Sequence, residues 1–162
     1  MTVLVNSIDI EAPAVEVFDY VSDLMNELEW GPGIIRVERV GDGPVGVGTR
    51  FVAEWQGSGR VNVEYVLFER PHRWRALGEN ARMDTNLSGE VVPLGVDRSR
   101  FTASMELVPH GTHQLLTPTF LRVMQKREQE NLLALKRTIE HRRANAVGRT
   151  TNLPSSGLQS RE

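Results

Sequence analysis

Glycines 41, 43 and 46 satisfy the phosphate-binding pattern G-x-G-x-x-G, and those at 43 and 48 have Walker spacing, but Thr49-Arg50 stands where a lysine and a hydroxyl residue belong. A glycine loop binds phosphate by opening a helix whose free N–H groups and dipole meet the anion. The residues after these glycines are strand-like instead: Phe51, Ala53 and Trp55 alternate with Arg50, Val52 and Glu54. The spacing therefore predicts a turn between two strands, in which glycine permits positive φ, and no nucleotide site.

Other reactive side chains are scattered. His110 and His113 lie in PHGTH, His72 in another turn and His141 near a helix end, so they read as exposed residues and no metal site is expected. No Ser-His-Asp, H-E-x-x-H or paired-carboxylate arrangement is readable, which leaves the catalytic residues unknown. The absence of cysteine excludes disulfides, thiolate metal sites and a cysteine nucleophile. One residue is out of place. Glu128 falls between Met124 and Leu132 on an otherwise apolar helical stripe, with Asn131 nearby. A buried carboxylate is costly unless paired or protonated. Glu128 thus marks a polar spot in a cavity, an ion pair for which Arg82 is a candidate, or a side chain reaching water at the stripe's edge.

The chain that positions these groups has 162 residues, 40% hydrophobic and 25% charged, the composition of one globular domain with a substantial core. It shows neither a signal-peptide pattern at MTVLVNSIDIEAP nor eighteen consecutive apolar residues, so a cytoplasmic location without stable membrane insertion is expected. Charge is unevenly spread. Residues 1–35 carry Asp9, Glu11, Glu16, Asp19, Asp23, Glu27 and Glu29 but no Lys or Arg, whereas cations from Arg122 to Arg143 outnumber Glu128, Glu130 and Glu140. With no interleaved aromatics beyond Phe120, this basic stretch reads as a solvated face complementing the acidic part, and nucleic acid is not an expected partner.

VLVNSIDI reads as a strand, Ala12-Pro13 as a helix start, and Ser22 or Asp23 as the cap of a second short helix stopped by Gly31-Pro32-Gly33. Six strand-like runs come next, at 34–40, 49–56, 60–69, 73–78, 82–92 and 99–108, joined too closely for crossover helices, so they are antiparallel. Val61, Val63, Tyr65 and Leu67 share one face, as do Met83, Thr85, Leu87 and Val91, and Phe101, Ala103, Met105 and Leu107. The cover is a helix from Thr117-Pro118 to about Arg143, about 39 Å long, with Leu121, Met124, Leu132, Leu135 and Ile139 as its stripe. Residues 146–162 have no periodicity and read as a disordered polar tail after a domain spanning 1–145.

The order of elements, with Ile10-Glu11-Ala12-Pro13, Val17-Phe18, Tyr20, Ser22-Asp23, Trp30, the run from Gly43 to Phe51, and Leu135-Lys136-Arg137 with Glu140, resembles the START-like helix-grip superfamily, in particular the polyketide cyclase/dehydrase-like (SRPBCC) proteins. The resemblance implies an α+β fold: a curved antiparallel β-sheet wrapped around a long C-terminal α-helix, with two short helices after the first strand. It implies a cavity between sheet and helix for a hydrophobic or aromatic small molecule. The inward faces nominate Trp55, Tyr65, Trp74, Met83 and Phe101 as lining, and with them Met105, Phe120, Met124 and Glu128. Two functions remain open: carriage of a lipid- or polyketide-like molecule, and cyclase or dehydratase chemistry on a ligand in the same cavity. No cofactor is implied, and a homodimer is compatible with either.

Overall fold

The computed structural model describes residues 2–111 and 117–151. The elements are β1 (Thr2–Ile10), α1 (Ala14–Val21), a 3-10 turn (Leu24–Asn26), α2 (Glu27–Trp30), β2 (Ile34–Val40), β3 (Arg50–Trp55), β4 (Gly59–Glu69), β5 (Arg73–Glu79), β6 (Met83–Gly95), β7 (Arg98–Pro109) and α3 (Pro118–Thr151). The strands form one antiparallel sheet of seven, ordered β1-β7-β6-β5-β4-β3-β2.

Local chemistry accounts for the joints. Pro13 immediately precedes α1, where its missing N–H leaves no bond unmade. The Asp23 carboxylate accepts from the Met25 N–H at 3.0 Å and caps the 3-10 turn. The glycine-rich segment joins two antiparallel strands, β2 and β3, with φ of 88° at Gly41, 103° at Gly43 and 84° at Gly48. At its end the Gly48 N–H donates to the Tyr65 carbonyl at 2.8 Å, so the loop is tied to β4.

Register corrects one expected face. A bulge between Tyr65 and Leu67 sets Leu67 opposite Arg75, on the outer surface, and Phe68 opposite Trp74, on the inner one. The extra residue reverses the alternation, and Phe68 takes the core place expected for Leu67. Its ring meets Phe18 of α1 edge-on at 5.3 Å. Two apolar clusters form the core. One gathers α1 and Leu132, Leu135 and Ile139 of α3 over β1, β6 and β7; the other lies on β2 to β5, and Phe68 and Trp74 pack against both.

Helix α3 is clamped through polar groups of both termini. Lys136 Nζ donates to the Asp9 carbonyl at 2.8 Å and to Glu140 at 2.6 Å, while Glu140 accepts from the Glu11 N–H at 2.9 Å. Arg142 pairs with Glu29 at 2.7 Å and lies over the Tyr20 ring, and Arg143 pairs with Glu16 at 3.6 Å and with Asp97. The basic stretch thus meets acidic residues of the N-terminal part. No described helix is long and apolar enough to cross a membrane.

The helix also continues past the expected end at Arg143 and takes in residues 146–151 of the expected tail. Ala144 and Ala146 favour helix, no proline interrupts, and a lone Gly148 costs only about 1 kcal/mol. The hydroxyls of Thr150 and Thr151 donate back to the carbonyls of Ala146 and Val147. Residues 152–162, the rest of that tail, lie outside the described residues. Since residues 144–151 are all exposed, truncation after Ala146 is expected to leave the melting temperature within about 2 °C. A loss of more than about 4 °C, roughly 1 kcal/mol or more, would show that the removed segment packs against the domain.

Candidate functional site

The helix does not lie evenly on the sheet. Its close backbone approaches are to β1 and α2, not to the middle strands. Under its C-terminal half, Val91 and Phe101 are buried together with Leu135 and Ile139. Toward its N-terminal half, Met83, Leu87 and Met105 on the sheet's inner face and Leu121 and Met124 on the helix are only half-buried. These apolar side chains lie on the faces that the sheet and α3 turn toward each other. At β1 Asn6 accepts from Gln125 Nε2 at 2.6 Å, a polar tie between the strand and α3.

The expected lining residues divide into three groups. Trp55, Trp74, Met83, Met105, Met124 and Glu128 are half-buried, Trp55 and Trp74 against the apolar cluster on β2 to β5. Trp74 lies so close over Gly89 that a Cβ there would come within 2.5 Å of the indole, so only glycine leaves the ring its place. Tyr65 and Phe101 are buried structural residues. Tyr65 donates its hydroxyl to the Ser22 carbonyl at 2.8 Å and meets Trp74 edge-on at 5.5 Å, while Phe101 belongs to the core beneath α1 and α3. Phe120 is 41% exposed. Thr117 to Phe120 are all exposed, so the first turn of α3 stands clear of the sheet and Phe120 does not line its inner face.

Glu128 has a neighbour that the sequence did not mark. Glu27, the first residue of α2, accepts from Trp55 Nε1 at 2.8 Å through Oε1. Burial pushes its carboxyl up to about 7; the Trp55 hydrogen bond opposes the rise and the charge of Glu128 adds to it. The Glu128 carboxyl is itself raised, chiefly by burial, against the lowering effects of Arg127 and Asn131. Arg82 is exposed and does not bond Glu128; Asn131 Nδ2, at 3.4 Å, is the donor to Oε1. Arg127 instead extends beside Gly33, whose missing side chain makes room for the guanidinium. Tyr65 feels the same acidic corner: burial raises its phenol first, and the charges of Asp23 and Glu27 add.

Two titratable groups therefore converge where the sequence showed one. A four-residue helix has too few positions to define a face, and Glu27 was legible only as one of many acidic residues. The indole N–H groups of Trp30 and Trp74 are buried with no hydrogen-bond partner among the described residues. Of the histidines, His110 pairs with Asp84 at 2.9 Å, His141 contacts Asn145, and His72 is exposed. His113 lies outside the described residues. Among those described, no cluster of three or more His, Asp or Glu could hold a metal.

The raised carboxyl links stability to pH. Folded Glu27 holds its proton up to about pH 7, against a reference value of 4.5, so stability falls as pH rises through that window. The full shift is worth roughly 3 kcal/mol, less where water reaches the half-buried group. Glu27→Gln keeps an acceptor for Trp55 and removes the ionisation. The variant is expected to gain on the wild type as pH goes from 5 to 8 in denaturant melts; parallel pH profiles would contradict the assignment.

Comparison with known proteins agrees with this architecture. No curated protein matches the sequence. Among solved structures, the Zhui aromatase/cyclase from Streptomyces sp. R1128 superposes with a TM-score of 0.70 at 17% identity, over 91% of this chain and 98% of the other. A START superfamily protein from Mycobacterium smegmatis gives 0.64 at 17% identity, over 89% and 98%. A point mutant of norcoclaurine synthase from Thalictrum gives 0.61 at 18% identity, over 88% and 96%. At such identities the likeness is one of fold, the helix-grip arrangement. Residues 1–140 match the family described as "Polyketide cyclase / dehydrase and lipid transport", and the chain belongs to that family within the START-like superfamily.

Proposed function

We propose that the protein binds an apolar or aromatic small molecule, lipid- or polyketide-like, in the space between the sheet and the N-terminal half of α3. The observation that carries this reading is the incomplete cover of an apolar face. Met83, Leu87 and Met105 look toward the helix yet keep part of their surface, and Met124 and Leu121 do the same from the helix side. Solid cores leave few such gaps. Methionine and tryptophan walls suit a flat or flexible guest because thioethers adjust and indoles offer broad contact.

The convergence of Glu27 and Glu128 favours a second reading, cyclase or dehydratase chemistry on the bound molecule. Such chemistry needs one group to give a proton and another to take one. Two carboxyls, one raised to about 7, meet that requirement near neutral pH. The superposition on an aromatase/cyclase is compatible with it.

Titration with a hydrophobic fluorescent probe tests the binding. Wild-type protein is expected to saturate, and Met124→Trp to abolish binding without unfolding, because a large side chain can enter a void but not a packed core. Wild-type protein that binds no such probe, together with a Met124→Trp variant that unfolds, would show a solid interior.

A further inference from the structure

The corner formed by Glu27, Trp55 and Glu128 points to the kind of atom the ligand carries. We propose that Glu27, as a neutral carboxylic acid, is the hydrogen-bond donor that fixes a carbonyl oxygen of the apolar ligand at the α2 wall, with the Glu128 carboxylate holding the proton on it. This rests on the binding proposed above and specifies its polar end.

The geometry is asymmetric in an informative way. Trp55 Nε1 donates to Glu27 Oε1 at 2.8 Å, so Oε1 is the acceptor oxygen and the acid proton resides on Oε2. Oε2 has no partner among the described residues, yet it is not one of the sealed polar atoms, which are Trp30 Nε1 and Trp74 Nε1. Water-sized groups therefore reach it. A donor pinned on one side and free on the other is placed to meet a ligand acceptor beside α2. A neutral oxygen suits the place better than an anionic one, because the Glu128 charge acts on Glu27 while the Arg127 charge acts on Glu128 and not on Glu27.

Burial sets most of the Glu27 shift, and the groups facing it adjust it. The Trp55 N–H from β3 lowers it and Glu128 from α3 raises it; Tyr65 on β4 stays protonated, with Asp23 of the 3-10 turn acting on Tyr65, and Arg127 on α3 acts through Glu128. The donor is present below about pH 7 and lost above it. Apparent affinity for a carbonyl ligand scales with the neutral fraction and is expected to fall about tenfold between pH 6 and pH 8.

The test uses 6-propionyl-2-(dimethylamino)naphthalene, whose emission shifts to the red when its carbonyl accepts a hydrogen bond, beside 2-(dimethylamino)-6-propylnaphthalene, which lacks the carbonyl. Wild-type protein is expected to bind the ketone with red-shifted emission and that tenfold pH dependence, and the propyl analogue without pH dependence. Glu27→Gln places an amide N–H where the acid proton was, so it should keep the ketone and lose the pH dependence. Glu27→Ala should lose the red shift. Glu128→Gln should move the midpoint to lower pH. Ketone binding to the wild type that does not vary with pH, or a red shift that survives Glu27→Ala, would overturn the proposal while binding of the propyl analogue left the cavity reading standing. If neither naphthalene binds, the binding reading fails and this one with it.

Discussion

One helix has to cover seven strands. At about 4.8 Å between neighbours the sheet is roughly 29 Å across, whereas a helix with its side chains is about 10 Å wide. Curling the sheet around the helix and adding α1 and α2 at one end reduces the mismatch without removing it. The seat of α3 is determined by its polar clamps: Lys136 on the Asp9 carbonyl, Glu140 on the Glu11 N–H and Arg142 on Glu29. These hold its C-terminal half to the start of the chain, where Leu135 and Ile139 complete the core. Toward its N-terminal half Gln125 meets Asn6 of β1, while Met83, Leu87 and Met105 on the sheet's inner face keep part of their surface.

The acidic corner arises from the same constraint. Where α2 meets α3, Glu27 and Glu128 lose water, and only Glu128 has a cation, Arg127, acting on it. Glu27 gains an indole N–H instead, which offsets only part of the loss, and Glu128 gains Asn131 at 3.4 Å. Two such groups close together cannot both ionise freely, so a proton is kept near neutral pH. A packed core would select against this arrangement. Its presence accords with a site that meets a polar atom on an otherwise apolar molecule.

The sheet was legible in the sequence because alternation is a local property. Strand ends are within a few residues of those expected from period and turn residues, and Pro13, Asp23 and Gly31 act where their chemistry predicts. What eluded the sequence was set by contacts between distant segments. The bulge after Tyr65 that turns Leu67 outward has no marker residue. Phe120 shares the helical stripe of Met124 yet is exposed, because periodicity does not say where a helix outruns its cover. Glu128 was conspicuous among apolar neighbours. Glu27 was not, since its burial depends on Trp55 of β3 and on α3, a hundred residues away along the chain.

The five methionines offer the most direct view of whether the space holds a guest. Met83, Met105 and Met124 are half-buried where the ligand is proposed to lie, whereas Met25 packs on the cluster over β2 to β5. With 13C-methyl-labelled methionine, NMR titration with a neutral aromatic ligand should move the resonances of Met83, Met105 and Met124 together along one binding curve and give contacts between these methyls and the ligand. Titration that leaves those three unmoved, or that moves only methyls away from the space, would contradict a ligand site between the sheet and α3.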